Sequence, residues 1–68
     1  MKIEDLISGR NEGEDVEIGD ATLPVSALRK LMQDGYTHLK PYQQNHTFSL
    51  WGKTCTACLT PQQIREKL

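Results

Sequence analysis

The chain has 68 residues, which is enough for one small domain but too short to bury a large core. Its net charge is −1 at pH 7, whereas a nucleic-acid-binding domain is usually strongly basic. No apolar run is long enough to cross a membrane, and the N-terminus, MKIEDLISGR, is too short and too acidic for a signal peptide. We therefore expect a single cytoplasmic domain over residues 1–68 that has no membrane partner.

The charges are distributed unevenly along the chain. Residues 1–20 contain seven acidic and two basic side chains, whereas residues 21–68 contain six basic and two acidic ones. This division predicts either two solvated faces of opposite charge or an acidic end that lies against a basic body. A second interpretation is that one of the two regions is a patch for a partner of opposite charge.

A short N-terminal helix is predicted over residues 2–8. Ile3, Leu6 and Ile7 recur there at helical spacing, and Gly9 provides a stop. The next segment with no apolar residue, 10–15, is predicted to be a loop. Two turns of helix are not stable alone in water, so this helix must pack on the rest of the domain.

A hairpin and a second helix follow. Residues 16–18 and 21–23 are short extended runs around Gly19-Asp20, a pair typical of a two-residue turn with Gly first. Pro24 is predicted to be the first residue of a helix over 24–34, and Gly35 to be its left-handed cap. The predicted buried stripe of this helix consists of Val25, Leu28, Leu31 and Met32.

Residues 36–42 alternate in polarity and predict a strand. Thr37 and Leu39 would share one face, and the opposite face would carry Tyr36, His38, Lys40 and Tyr42. Pro41 cannot donate to a ladder, which places this strand at an edge or ends it there.

The C-terminal part repeats the pattern of strand, turn, strand and helix. A strand over 46–50 with Phe48 and Leu50 inward, a turn at 51–54 and a strand over 54–59 would place Trp51 at the hairpin tip. Thr60, Pro61 and Gln63 form a capping-box signature for a last helix over 60–68, with Leu59 stapled to Ile64. Ile64 and Leu68 are expected to face the core.

These elements predict an α+β fold. A small antiparallel sheet, made of two hairpins and a linking strand, would pack against the two main helices. The short N-terminal helix would cover an edge of that sheet.

Cys55 and Cys58 form a CxxC pair, which can bind zinc or run redox chemistry. The one all-Cys/His metal set that the sequence allows is His38, His46, Cys55 and Cys58, which would make the chain a small zinc-stabilised adaptor. Strand alternation places the two cysteines on opposite faces, where they cannot share a metal ion. We therefore expect two buried thiols that act as small apolar residues, and no cofactor.

The sequence contains no catalytic signature, so we expect a binding protein that is not an enzyme. Aromatic and cationic side chains of strand 36–42 and the second hairpin are the candidate contacts with another protein: Tyr36, His38, Lys40, Tyr42, Trp51 and Lys53. A small binding domain without cofactor motifs is typical of the inhibitors that phages and mobile elements encode, which cover a surface of the host machinery.

Two alternatives use other features of the same region. A nucleic-acid-associated regulator would use the basic residues after position 21, which are Arg29, Lys30, Lys40, Lys53, Arg65 and Lys67. A homodimer would instead pair two chains through the edge strand at 36–42.

Overall fold

The computed structural model describes residues 1–42 and 47–68, except for the side chain of Tyr42. The elements are α1 (Ile3–Ile7), β1 (Asp15–Ile18), β2 (Ala21–Pro24), α2 (Val25–Gln33), β3 (Tyr36–Tyr42), β4 (Thr47–Gly52), β5 (Thr56–Leu59) and α3 (Pro61–Arg65). The predicted α+β fold is confirmed. The strands form two antiparallel sheets rather than the one small sheet that the pattern predicted: a β1–β2 hairpin and a three-stranded sheet in the order β3–β4–β5. The predictions made for His46 lie outside the described residues.

The β1–β2 hairpin has the predicted turn, and Gly19 at its first position has a φ of 62°. The prediction that Pro24 begins the helix is wrong by one residue. Pro24 pairs with Asp15 in the hairpin and has extended backbone angles, and the Val25 N–H donates to the carbonyl of Glu14 at 3.0 Å. The hairpin ladder therefore holds Pro24 as the last strand residue, and α2 begins at Val25.

Helix α2 buries a stripe that includes Val25, Leu28 and Leu31, as predicted, and also Ala27. Met32 was predicted to lie in the stripe but is 36% exposed. The buried side chains centre on Leu28, so the position after Leu31 falls at the rim of the stripe. The helix stops at the predicted cap, Gly35, whose φ is 105°.

The three-stranded sheet has β4 at its centre and packs one face on the core. Leu39, Phe48 and Leu50 point inward and are at most 2% exposed. They join buried residues of all three helices and of the β1–β2 hairpin in one core. At the end of β4 a Cβ on Gly52 would overlap the carbonyl oxygen of Gly35, so the close approach of these two strand ends requires glycine at 52.

The N-terminal residues close the free edge of β3. The amino group of Met1 donates to the Leu39 carbonyl, and the Leu39 N–H donates to the Met1 carbonyl, both at 2.9 Å. Lys2 also forms a bridge with His38. Since Pro41 has no N–H, few groups of this edge are left to pair with an additional strand.

Helix α3 begins with the predicted capping box. Gln63 N–H donates to Thr60 Oγ1 at 3.1 Å, and Thr60 N–H donates to Gln63 Oε1 at 2.9 Å. Ile64 is fully buried as predicted, but Leu68 is 63% exposed, so its assignment to the core is wrong. Helix α3 ends at Arg65, and the residues beyond it no longer follow the helical spacing that would bring Leu68 inward.

Candidate functional site

The face of the three-stranded sheet that points away from the core is the candidate functional site. Cross-strand pairing aligns His38 with Trp51 and Thr56 in one row, and Lys40 with Ser49 and Cys58 in the next. We call these six residues the outer face. Lys40, Thr56 and Cys58 are exposed and the other three are half-buried, so no element within the described residues covers this face.

An aromatic stack occupies one row of the outer face. The rings of His38 and Trp51 are nearly parallel, with an interplanar angle of 9° and centroids 5.5 Å apart. Antiparallel pairing brings these side chains together, because residues directly opposite each other project to the same side of the sheet. The stack gives the outer face a flat apolar area with a polar imidazole edge.

Thr37 orients the imidazole of this stack. Its Oγ1 lies 2.7 Å from His38 Nδ1 and donates to the Trp51 carbonyl at 3.4 Å. The tautomer of His38 decides the direction of the shorter contact, because a protonated Nδ1 donates to the Thr37 hydroxyl and an unprotonated Nδ1 accepts from it. In both cases Thr37 engages Nδ1 and not Nε2.

The prediction that Tyr36 shares a face with His38 is wrong. Tyr36 pairs with Gly52 and His38 pairs with Trp51, so two positions of β3 span one position of β4. This bulge at Thr37 changes the alternation, and Tyr36 packs against the core. Thr37, predicted to share the inner face with Leu39, is exposed instead.

Trp51 lies within β4 rather than at the hairpin tip. The turn consists of Lys53 and Thr54, and the Gly52 N–H donates to the Cys55 carbonyl at 2.9 Å to close it. Of the predicted partner-binding residues, the structure brings His38, Lys40 and Trp51 together on the outer face. Lys53 is exposed in the adjoining turn, and the Tyr42 side chain lies outside the described residues.

The charged side chains that the three strands and the β4–β5 turn contribute are of one sign. No acidic residue occurs in the sequence from position 35 to position 65, whereas Lys40, Lys53 and Arg65 do. The acidic residues belong mainly to the first 20 positions, and one of them, Glu12, pairs with Arg29 at 2.7 Å. The sheet therefore presents a weakly basic surface, and it belongs to the basic part of the sequence, whereas α1 and β1 belong to the acidic first 20 residues.

Three of the six basic residues of the nucleic-acid alternative are paired within the chain. Arg29 pairs with Glu12, Lys67 pairs with Asp34 at 2.9 Å, and Arg65 donates to the carbonyl of Thr22. Lys30 is exposed on helix α2. Lys40 and Lys53 are the two members of the set that belong to the sheet and its turn.

The two cysteines have different environments. Cys58 is exposed on the outer face opposite Ser49, so the prediction that both thiols are buried is wrong for Cys58. Cys55 is half-buried, with its sulfur beside the backbone of Gly35 and Gly52. Within residues 1–42 and 47–68, no three His, Cys, Asp or Glu side chains are grouped closely enough to hold a metal ion.

Comparisons with protein-family models, with curated proteins and with solved structures find no match to this chain. Among the described residues, no helix has the length and apolar character needed to cross a membrane. The geometry of the sheet is therefore the basis for the functional proposal.

Proposed function

We propose that this chain is a small protein-binding module of the cytoplasm that docks on a partner through its outer face. The observation that carries the proposal is the Trp51–His38 stack on an uncovered sheet face. Tryptophan supplies a large, rigid contact area and is enriched among the residues that dominate binding energy. Two free cysteines fit a reducing compartment.

The charge of the sheet indicates the character of the partner. Lys40 lies one row from the stack, and no acidic residue belongs to β3, β4, β5 or the turn between β4 and β5. A partner surface with acidic groups around an apolar centre complements this arrangement. The effect of the module would be to cover the partner's surface, as an inhibitor does.

Two lysines offer a matched test of this proposal. Lys40→Glu reverses a charge on the outer face, and Lys30→Glu makes the same change on helix α2, where the lysine is also exposed. Each protein is immobilised and exposed to cell lysate, and captured proteins are identified by mass spectrometry. We expect a protein that wild type and Lys30→Glu both retain and that Lys40→Glu loses by about tenfold.

If Lys30→Glu lost the captured protein and Lys40→Glu retained it, the binding surface would lie on α2 and the proposal would be contradicted. Thermal unfolding of both variants is the control, since exposed charge changes of this kind alter stability by less than about 0.5 kcal/mol.

Single-stranded nucleic acid is the second candidate, because bases stack on aromatic side chains flanked by lysine. Its weakness is that three of the six proposed basic residues are held by contacts within the chain. A fluorescent oligothymidylate at low salt tests it. Micromolar binding that weakens steeply with added salt would support this candidate, and no binding at that concentration would remove it.

A further inference from the structure

A pocket adjoins the outer face on the side of the helices. It lies between α1, the end of α2, β3 and the β4–β5 turn, with a volume of about 360 Å³. We call it the Met32 pocket, and its lining residues are Lys2, Glu4, Met32, Thr37, His38 and Lys53. Its volume is within the range of pockets that hold small ligands or single side chains.

The one large apolar side chain among the lining residues is Met32, and we call it the floor of the pocket. Met32 is 36% exposed, and the other exposed large apolar side chains of the described chain are Met1 and Leu68, at the termini. Methionine adapts its shape to different apolar partners, which is why it is common in surfaces that bind peptides. The bulge in β3 turns Thr37 outward beside this floor, so the irregularity of the strand helps to form the pocket.

The rim of the pocket is mainly basic. Lys2 and Lys53 line it, and Glu4 contributes the one opposing charge. His38 belongs to both the pocket and the Trp51 stack, so a ligand in the pocket would extend directly onto the outer face. An apolar floor and a basic rim complement a ligand that has an apolar group flanked by carboxylates.

We propose that the Met32 pocket binds one large apolar side chain of an acidic peptide segment in the protein partner. The flanking carboxylates of that segment contact Lys2 and Lys53, and the next part of the segment packs on the Trp51–His38 stack. This inference rests on the proposed function, since the same partner covers the outer face. A phosphate backbone fits the pocket less well, because it has no apolar group to cover the Met32 side chain.

Selection from a library of random peptides displayed on phage, against the immobilised full-length chain, tests this inference. We expect the enriched peptides to contain a large apolar residue among aspartates and glutamates. Affinities of the synthesised peptides are then measured for wild type, Met32→Glu and Gln33→Glu. The control adds the same charge at the neighbouring exposed position of α2.

Met32→Glu should weaken peptide binding at least tenfold, and Gln33→Glu by less than about twofold. Replacing the apolar residue of the peptide by alanine should cause a similar loss, and the two changes together should cost less than their sum. Met32→Ala shortens the side chain without adding a charge and should weaken peptide binding about threefold. A loss of affinity in this variant as well would show that the loss in Met32→Glu comes from the pocket and not from misfolding.

Other outcomes overturn the inference in distinguishable ways. If Lys40→Glu abolishes peptide binding and Met32→Glu does not, the inference is wrong and the proposed function stands. Enrichment of basic or neutral peptides also contradicts the inference. If no peptide is enriched, the inference fails, and the capture experiment with Lys40→Glu and Lys30→Glu decides the proposed function separately. If oligothymidylate displaces the peptides, the inference fails and the nucleic-acid candidate gains support.

Discussion

The two faces of the three-stranded sheet have opposite roles, although the same strands form both. The inner face consists of side chains such as Leu39, Phe48 and Leu50, which are at most 2% exposed. The outer face carries an aromatic stack, a lysine and an exposed thiol. Because successive strand residues alternate between faces, changes at adjacent positions separate stability from recognition.

The largest contrast is expected between Leu50 and its neighbour Ser49. Leu50→Ala removes a fully buried side chain and should lower the free energy of unfolding by about 2–5 kcal/mol. Ser49→Ala should change it by less than about 0.5 kcal/mol, because Ser49 lies on the outer face. Urea unfolding followed by fluorescence of Trp51, the single tryptophan, measures both.

A domain of 68 residues has little stability to lose, and Leu50→Ala could remain unfolded even without urea. Leu50→Val, with an expected loss of about 1 kcal/mol, keeps the comparison measurable. Equal effects of Ser49→Ala and Leu50→Val would show that the alternation of β4 does not separate the two faces.

Substitutions of Tyr36 and His38 test the bulge at Thr37, which interrupts the alternation of β3. Tyr36→Ala should cost about 2 kcal/mol, since the ring is half-buried and packs against the core. His38→Ala should cost less than about 1 kcal/mol, because it removes a stacking contact on the outer face. Chemical unfolding measures the loss of stability in both variants. A larger loss of unfolding free energy for His38→Ala than for Tyr36→Ala would contradict the bulge.

The same bulge marks where the sequence could not predict the site. Alternation in residues 36–42 implied that Tyr36 and His38 share a face, and no glycine within that strand signals the extra position at Thr37. The bulge is a feature of the pairing of β3 with β4, and it lies next to the close approach of Gly35 and Gly52. Such a contact joins distant parts of the chain and has no local signature.

Local signals, in contrast, were sufficient for much of the fold. The capping box at Thr60 and Gln63, the Gly19 turn and the inward Phe48 and Leu50 are all found as predicted. Each depends on residues within a few positions of one another, where spacing and chemistry decide the outcome. The exposure of Met32 depends instead on how α2 packs against the other elements, so its pocket was missed.

A smaller effect on stability is expected from the His38–Trp51 stack on the outer face. A double-mutant cycle of His38→Ala and Trp51→Phe should give a coupling of about 0.5–1 kcal/mol in the free energy of unfolding. A matched cycle of Lys40→Ala and Trp51→Phe, whose residues belong to different rows, should give less than about 0.3 kcal/mol. Equal coupling energies in the two cycles would mean that the contact between the two rings adds no stability beyond the pairing of β3 with β4.

The two cysteines should show the smallest effect on stability and a clear difference in access. Cys58→Ser should leave the free energy of unfolding within about 0.5 kcal/mol of wild type, because the thiol is exposed. A chromogenic aromatic disulfide should react faster with Cys58 than with Cys55, whose sulfur lies beside Gly35 and Gly52. Cys58→Ser should therefore remove the fast phase and Cys55→Ser the slow one.

A partner that covers the outer face should slow the reaction of Cys58 and leave that of Cys55 unchanged. Equal protection of both thiols would indicate general stabilisation of the fold rather than docking on this face.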